Sequence, residues 1–168
     1  MVIMGIDPGL NGGVAFVTDA GNLLHYQRMP TKPVLKDGKR DGSKRIIDIA
    51  QVAAMVARFE PTQVYVEQVH AMPAQGVTST FTFGMMYGMI LGLSYALEAL
   101  METRLVTPQR WQGFLYGKGY RQELEPKARA LAKFSELWPG LVEENVTHDG
   151  VVDALLIAEY GRRQLALN

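Results

Sequence analysis

Residues 1–9 read Met-Val-Ile-Met-Gly-Ile-Asp-Pro-Gly, an apolar run that ends in an acid and a Pro-Gly pair. The apolar run predicts a buried strand, and Pro8-Gly9 predict a turn directly after it, so that Asp7 stands at the strand end. Two more strands are predicted at Gly13–Thr18 and 22–28. The short glycine-containing loops that join the three strands favour an antiparallel meander.

The rest of the chain alternates between helical and strand patterns. Residues 31–44 are polar and basic and are predicted to be a loop, and Ser43 is predicted to cap a helix that Pro61 ends near residue 59. A strand at 63–69, a helix at 78–101, a strand at 103–106 and helices at 108–116, 125–138 and 147–164 are predicted to follow. The predicted fold class is α/β, with a five-stranded mixed sheet flanked by helices in one domain over residues 1–168.

Four carboxylates are predicted to meet at one edge of this sheet. A crossover helix makes the strand at 63–69 parallel to the first strand, so Asp7 and Glu67 end neighbouring strands at the edge where open α/β sheets bind ligands. Asp149 and Asp153 are four residues apart and therefore share one face of the last helix. The apolar residues around Asp153 indicate that this helix packs on the sheet.

Four unpaired carboxylates in one place repel one another, and such a site is tolerable when it holds divalent cations. Oxygen ligands select hard ions, so Mg²⁺ or Mn²⁺ is predicted. Two such ions about 3.5–4 Å apart activate water for phosphodiester cleavage. Each acid also has a structural interpretation: Asp7 as a turn former, Asp149 as a helix N-terminal charge. A lone buried Glu67 is costly unless it is paired or bound to metal.

Composition excludes several classes of protein. The absence of cysteine excludes disulfide scaffolds, zinc ribbons and cysteine nucleophiles. Seventeen basic and seventeen acidic residues give a formal net charge of +0, which disfavours a wholly basic DNA-coating protein. The charge is uneven, because residues 28–45 and 104–133 each hold seven basic and two acidic residues. These two segments are predicted to flank the acidic cleft and bind phosphates.

The apolar stretch at 83–97 is too short for the ~20 residues of a membrane span, so a buried or interface helix is predicted there. The N-terminus carries no secretory signal pattern. We therefore expect no membrane partner and a cytoplasmic location.

Three blocks of sequence resemble the RuvC-type Holliday junction resolvases of the RNase H-like superfamily. They are Gly5-Ile6-Asp7-Pro8-Gly9, Val66-Glu67-Gln68-Val69 and Asp153-Ala154-Leu155-Leu156-Ile157-Ala158. The resemblance implies a homodimeric endonuclease that cuts four-way DNA junctions with symmetric nicks, using Mg²⁺ or Mn²⁺. It also implies that Asp7, Glu67 and Asp153 are metal ligands.

The fourth acid departs from the common bacterial pattern, in which a carboxylate lies three residues before the equivalent of Asp153. Here that position is Gly150, and the acid is Asp149, which is more like the phage and organellar branches. Residues three or four apart lie on the same side of a helix, so Asp149 is predicted to be a catalytic and metal-binding residue. The adjacent His148 is an auxiliary proton-transfer or ligand candidate, with a solvated or capping histidine as the alternative.

The resemblance also indicates DNA contacts. His70 lies three residues after Glu67, where the bacterial family carries an aromatic residue that stacks on junction bases, and Met72 is predicted to share this role. The remaining predicted DNA contacts are basic: Lys39, Arg40, Lys118, Arg121 and Lys127. Gly84, Gly88 and Gly92 form a small-residue ridge on the long helix, which the family uses for dimerisation; packing within one subunit is the alternative.

Other classes of protein share features of this sequence. An actin-like ATPase or sugar kinase also begins with an Asp-containing strand and turn, but it needs two such domains, which 168 residues cannot supply. A nuclease of the same fold that acts on RNA–DNA hybrids or other branched DNA stays open. A non-catalytic junction-binding module also stays open, although surplus acids without metal would hinder DNA binding.

Overall fold

The computed structural model describes residues 1–70, 76–117, 125–144 and 146–167. The strands are β1 (Val2–Asp7), β2 (Gly13–Thr18), β3 (Leu23–Arg28), β4 (Thr31–Lys36), β5 (Lys39–Ile47), β6 (Gln63–Glu67) and β7 (Glu102–Val106). The helices are α1 (Ile49–Phe59), α2 (Val77–Ala96), α3 (Pro108–Tyr116), α4 (Pro126–Leu137), α5 (Pro139–Glu143) and α6 (Asp149–Leu165).

The main sheet is mixed and five-stranded, in the order β3-β2-β1-β6-β7, which confirms the predicted architecture. Strand β1 is antiparallel to β2 and parallel to β6, and β6 is parallel to β7. The register pairs Ile6 with Val66. Because the next residue of each strand is an acid, Asp7 and Glu67 end adjacent parallel strands at one edge of the sheet.

Helices cover both faces of the main sheet. Side chains alternate between faces along a strand. Ile3 and Tyr65 join a buried cluster with α6 on one face, whereas Met4 and Val64 join a cluster with α1 and α2 on the other. Continuing the alternation along both strands directs Asp7 and Glu67 to the α6 face.

Helix α6 lies unusually close to β1 and β2, and glycine makes this possible. A Cβ at Gly5 would lie 2.9 Å from the Ala158 Cα, and closer still to the Ala154 carbonyl oxygen. A Cβ at Gly13 would meet the Gly150 carbonyl oxygen at 2.5 Å. Backbone therefore packs against backbone along the helix, and this contact sets the position of the α6 residues relative to the strand ends.

The prediction of a loop at 31–44 is wrong, because β4 and β5 form a separate antiparallel hairpin there. Asp37 and Gly38 connect the strands with φ of 51° and 74°. Two positive φ values define the type I′ turn that favours Asp-Gly and matches the twist of paired strands. That dipeptide was the overlooked signal in the sequence.

The predicted N-cap of α1 is also wrong. Ser43 lies within β5, and α1 begins at Ile49 with Asp48 as its N-cap residue. The apolar residues before Asp48 fit a strand as well as a helix, because Ile47 is buried against the second core cluster. The hairpin therefore extends to the point where the helix starts.

Helix α2 is apolar around most of its circumference, but it is only partly covered. Met86 and Ile90 are buried, whereas Phe81 is 73% exposed and Tyr95 is 52% exposed. The helix ends at Ala96, earlier than predicted. No helix in the described part of the chain is long and apolar enough to cross a membrane.

Candidate active site

The two strand-end acids lie at the ends of adjacent strands and are half-buried. Burial raises the pKa of Asp7 to about 6, opposed by a hydrogen bond of 3.4 Å from the Gly9 backbone N–H. Burial also raises the pKa of Glu67 to about 7, and the charge of Asp7 contributes to this rise. The two carboxylates are therefore close enough to interact electrostatically.

Asp153 faces the same two acids from the second turn of α6. Burial raises its pKa to about 8, and the charges of Asp7, Glu67 and Asp149 add to this effect in that order. Lys127 opposes the rise. The three acids predicted from distant parts of the sequence are therefore brought together by the fold, with Asp153 as the most strongly perturbed group.

Asp149 is at the outer side of this group. Its side chain is 58% exposed and forms a 2.5 Å ion pair with Lys127, which lies on α4. It begins α6, where its charge also suits the helix N-terminus. Asp149 is thus close enough to influence Asp153, but unlike the other three acids it already has a cation beside it.

The donor set suits a hard divalent ion. Asp7, Glu67 and Asp153 form no ion pair with a lysine or arginine among the described residues. Uncompensated, half-buried carboxylate oxygens are the ligands that Mg²⁺ and Mn²⁺ prefer. Within the same residues, no group of three or more acidic or histidine side chains is close enough to hold an ion as it stands. The acids therefore share one electrostatic environment without forming a closed shell.

Trp111 is a site residue that sequence reasoning missed. Its indole Nε1 donates a 2.9 Å hydrogen bond to Oε1 of Glu67. Helix α3 brings it there, starting at Pro108 directly after β7, the strand that pairs with β6. The sequence shows a tryptophan in a short helix but not the strand register that aims its nitrogen at an acid.

His148 is half-buried at the start of α6. Its side chain makes no capping hydrogen bond, so the capping alternative receives no support. Its Nδ1 is buried with no hydrogen-bond partner in the described structure. Burial lowers the pKa of His148, the charge of Arg28 lowers it further, and Asp149 opposes this. The imidazole is consequently held mainly in its neutral form at pH 7.

The predicted DNA-contacting residues are spread around this edge. Lys39 and Arg40 are exposed beside the hairpin turn, and His70 is exposed just beyond β6. Lys127 is occupied by its ion pair with Asp149. Met72, Lys118 and Arg121 lie outside the described residues.

Open space adjoins the acids. A cleft of about 580 Å³ is lined by Asp7 and Asn11 from the β1 end, Thr78 and Phe83 from α2, and Asp149. A smaller cleft of about 230 Å³ lies beside Asp153, Asp149 and Lys127. Asp7, Asp149 and Asp153 are therefore reachable from solvent through these clefts.

Comparison with known proteins identifies the family. The family described as "Crossover junction endodeoxyribonuclease RuvC" matches residues 3–121, which include Asp7 and Glu67 but not α6. No curated protein sequence matches this chain significantly.

Solved resolvase structures share its fold. Thermus thermophilus RuvC in complex with a Holliday junction substrate superposes with a TM-score of 0.69 at 22% identity, covering 100% of this chain and 96% of that one. The Fowlpox virus resolvase, in complex with substrate Holliday junction DNA, gives 0.50 at 17% identity, covering 96% and 99%. The yeast mitochondrial Holliday junction resolvase gives 0.53 at 15%, covering 98% and 78%. The family match extends over most of the chain and the shared fold over all of it, and so this chain belongs to the RuvC family of crossover junction endodeoxyribonucleases.

Proposed function

We propose that this protein resolves four-way DNA junctions by paired symmetric nicks, using Mg²⁺ or Mn²⁺ held by Asp7, Glu67, Asp153 and Asp149. The observation that carries the proposal is the group of three half-buried carboxylates without cationic partners, whose pKa values are raised to about 6, 7 and 8. Burying such charges is unfavourable unless a ligand compensates them. The resolvase structures with bound junction DNA support branched DNA as the substrate.

Each acid has a distinct role in this proposal. Asp7 and Glu67 would hold the ions from rigid strand ends, and Asp153 would close the site from the helix. Asp149 would serve as the outer ligand after exchanging Lys127 for an ion. Divalent cations in such a site activate a water molecule and stabilise the leaving oxygen of a phosphodiester.

Two further residues are proposed to assist. Trp111 holds the Glu67 carboxylate in one orientation through its 2.9 Å hydrogen bond. His148 would accept a proton at the edge of the site, because a mainly neutral imidazole with an unpartnered Nδ1 has the capacity to do so. Its lowered pKa supports this role over that of a charged phosphate-binding group.

DNA is proposed to approach over the sheet edge. His70 would stack on unpaired bases near the junction centre, together with Met72. Lys39, Arg40, Lys118, Arg121 and Lys127 would contact phosphates, which supplies affinity without reading sequence. The protein would act wherever such DNA occurs in the cytoplasm of a bacterial or phage-infected cell, or in an organelle.

A homodimer is proposed, with α2 in its interface. Among the described residues, a Cβ on Gly84, Gly88 or Gly92 would meet no atom of another segment within 4 Å, so no described segment packs closely on this ridge. Phe81 is exposed on the same helix. Two subunits would supply two acid sites for two symmetric nicks. Light scattering at micromolar concentration should give the mass of a dimer, and a monomer would contradict this part of the proposal.

The decisive experiment is a cleavage assay on a four-way junction, a plain duplex and an RNA–DNA hybrid, with and without Mg²⁺. We expect metal-dependent cutting of the junction at two symmetric positions. Asp7→Asn, Glu67→Gln and Asp153→Asn should each abolish cleavage but keep junction binding in Ca²⁺.

The matched control is Asp19→Asn, an exposed acid whose ion pair is with the N-terminus; it should cleave normally. Preferential cutting of the hybrid would assign the site to RNA. Normal cleavage by any of the three acid variants would show that the metal site is misassigned.

A further inference from the structure

The hairpin of β4 and β5 is the most basic described element of a chain with no net charge. Residues 31–47 hold six basic and two acidic residues. The basic residues near its turn and along β5 are exposed, and the hairpin forms its own sheet, separate from the main one. Exposed, charged side chains of this kind add little apolar packing to the core. The positive charge of the hairpin therefore favours binding to a partner of opposite charge.

The root of the hairpin is anchored independently of its tip. The Asp48 backbone N–H donates a 2.8 Å hydrogen bond to the Pro30 carbonyl, which closes the neck. Lys32 forms a 3.3 Å ion pair with Asp48. Ile47 is buried, and its N–H donates to the Met86 sulfur at 3.3 Å. The ribbon is thus held at a defined position beside α2.

A groove of about 960 Å³ lies between the hairpin, the first turns of α2 and the turn after β1. Its cationic lining is Arg28, Lys44 and Arg45. Among the residues that the structure describes, Asp41 is the one carboxylate that lines the groove, and Lys44 forms a 2.8 Å ion pair with it. The groove is therefore electropositive on the hairpin side.

This groove leads to the acids. It shares Leu10, Asn11, Thr78 and Thr82 with the cleft that contains Asp7, so the two spaces adjoin. His148 lines the groove, and the next residue, Asp149, lines the cleft that contains Asp7. A chain of phosphates lying in the groove would run from a cationic wall to the acid site.

We propose that the β4–β5 hairpin is a DNA-binding arm, and that the groove behind it carries a sugar–phosphate backbone of the substrate toward the acids. The inference rests on the proposed function. The arm offsets the repulsion that the acids exert on DNA, because its cations act on phosphates next to the site. A nucleic-acid strand fits this surface through uniform negative charge, which needs no base-specific contact.

A matched pair of arginines tests the arm. Arg45→Gln removes one groove cation, and Arg58→Gln removes one exposed cation from α1 that does not line the groove. Junction affinity is measured in Ca²⁺ over a range of salt concentrations. Each lost phosphate contact should reduce the slope of log affinity against log salt by about 0.9. Arg45→Gln should show this reduction, and Arg58→Gln should keep the wild-type slope.

A truncated arm provides the second test. Residues 33–45 are replaced by Asn-Gly, which joins the paired Lys32 and Ile46 by a two-residue turn. The variant should remain folded by circular dichroism and bind the junction with a slope reduced by several phosphate contacts. Should it fail to fold, the arginine pair decides by itself.

If both Arg45→Gln and the folded truncation bind the junction with wild-type affinity and wild-type salt dependence, the hairpin is not a DNA-binding arm. This conclusion holds whether or not the protein cleaves junctions. A reduced slope of log affinity against log salt in these variants would support the DNA-binding arm. It would do so even if the wild-type protein cut none of the three substrates. A protein that binds through the arm but cuts no substrate would contradict the proposed function and leave the arm intact. Failure of the arm and failure of the proposed function therefore give different results.

Discussion

The indole nitrogen of Trp111 is hydrogen-bonded to Glu67 at 2.9 Å, and it is the one described side-chain donor that this acid has. Trp111 is 1% exposed, so water does not compete for the bond. A donor held in this way fixes the carboxylate and lowers its pKa against the effect of burial. The tryptophan therefore belongs to the site even though it carries no charge.

Trp111→Phe keeps an aromatic ring in the core but removes the donor. The pKa of Glu67 should then rise above its present value of about 7, because the opposing hydrogen bond is lost. We expect the Mn²⁺ concentration for half-maximal cleavage at pH 7 to rise about 10–100-fold, as for other groups that orient metal ligands. Part of the loss should be recovered at pH 8.5. An unchanged Mn²⁺ requirement would contradict the role of Trp111.

The acids also predict how stability depends on pH. Their folded pKa values of about 6, 7 and 8 lie above the ordinary values of 3.8 for aspartate and 4.5 for glutamate. Between pH 4 and 8 the folded protein therefore binds more protons than the unfolded chain, and the free energy of unfolding falls as pH rises. The melting temperature in EDTA should be higher at pH 5.5 than at pH 8.5.

Asp153→Asn removes the group with the largest rise. Its melting temperature should fall less between pH 5.5 and 8.5 than that of the wild-type protein, because the carboxyl group whose burial raises its pKa most is gone. At pH 8.5, Mn²⁺ should raise the melting temperature of the wild-type protein and raise that of the variant much less. A wild-type melting temperature that rises with pH in EDTA would refute the assigned burial.

The close packing of α6 gives a stability prediction. In Gly5→Ala the new methyl would overlap backbone atoms of Ala154 and Ala158, which cannot move aside as a flexible side chain would. We expect a loss of about 3 kcal/mol or more in urea denaturation. That corresponds to a fall of roughly 6–12 °C in melting temperature for a chain of this size.

Gly140→Ala is the control for this experiment, because a Cβ there would meet no atom within 4 Å. Its stability should stay within about 1 kcal/mol of the wild-type value. Equal effects from the two substitutions would indicate that α6 does not rest on the strand backbone.

The ion pair between Lys127 and Asp149 predicts a shift in the pH profile of cleavage. Both side chains are mostly exposed, so Lys127→Met should hardly change the melting temperature. Lys127 lowers the pKa of Asp153 against the effect of burial, so this pKa should rise further in the variant. The pH at which cleavage activity reaches half its maximum should therefore be higher than in the wild-type protein. Lys133→Met removes the same charge from the same helix, where Lys133 binds Glu136, and should leave the profile in place.

The sequence allowed the mixed sheet and the convergence of Asp7, Glu67 and Asp153 to be predicted, because strand direction and helical spacing follow from local pattern. It did not reveal Trp111, whose contact depends on the register of two strands far apart in the chain. The hairpin was missed for another reason: its strands alternate too little to resemble strands, since both faces are polar. Only Asp37-Gly38 marked it.

The role of glycine in seating α6 was also out of reach, because it needs two elements to be placed together first. Gly5 and Gly150 are unremarkable in sequence, yet each has backbone where its side chain would be. The spacing of Asp149 and Asp153 predicted one helix face but not how near that face comes to the strands.

The seating of α6 on bare backbone has an evolutionary consequence. At Gly5, Gly13 and Gly150 even a methyl group would meet backbone that cannot move aside, so a compensating substitution elsewhere in the interior cannot restore the fit. We therefore expect replacement of these glycines to be rejected whatever the surrounding sequence, whereas apolar residues that pack side chain against side chain can change together.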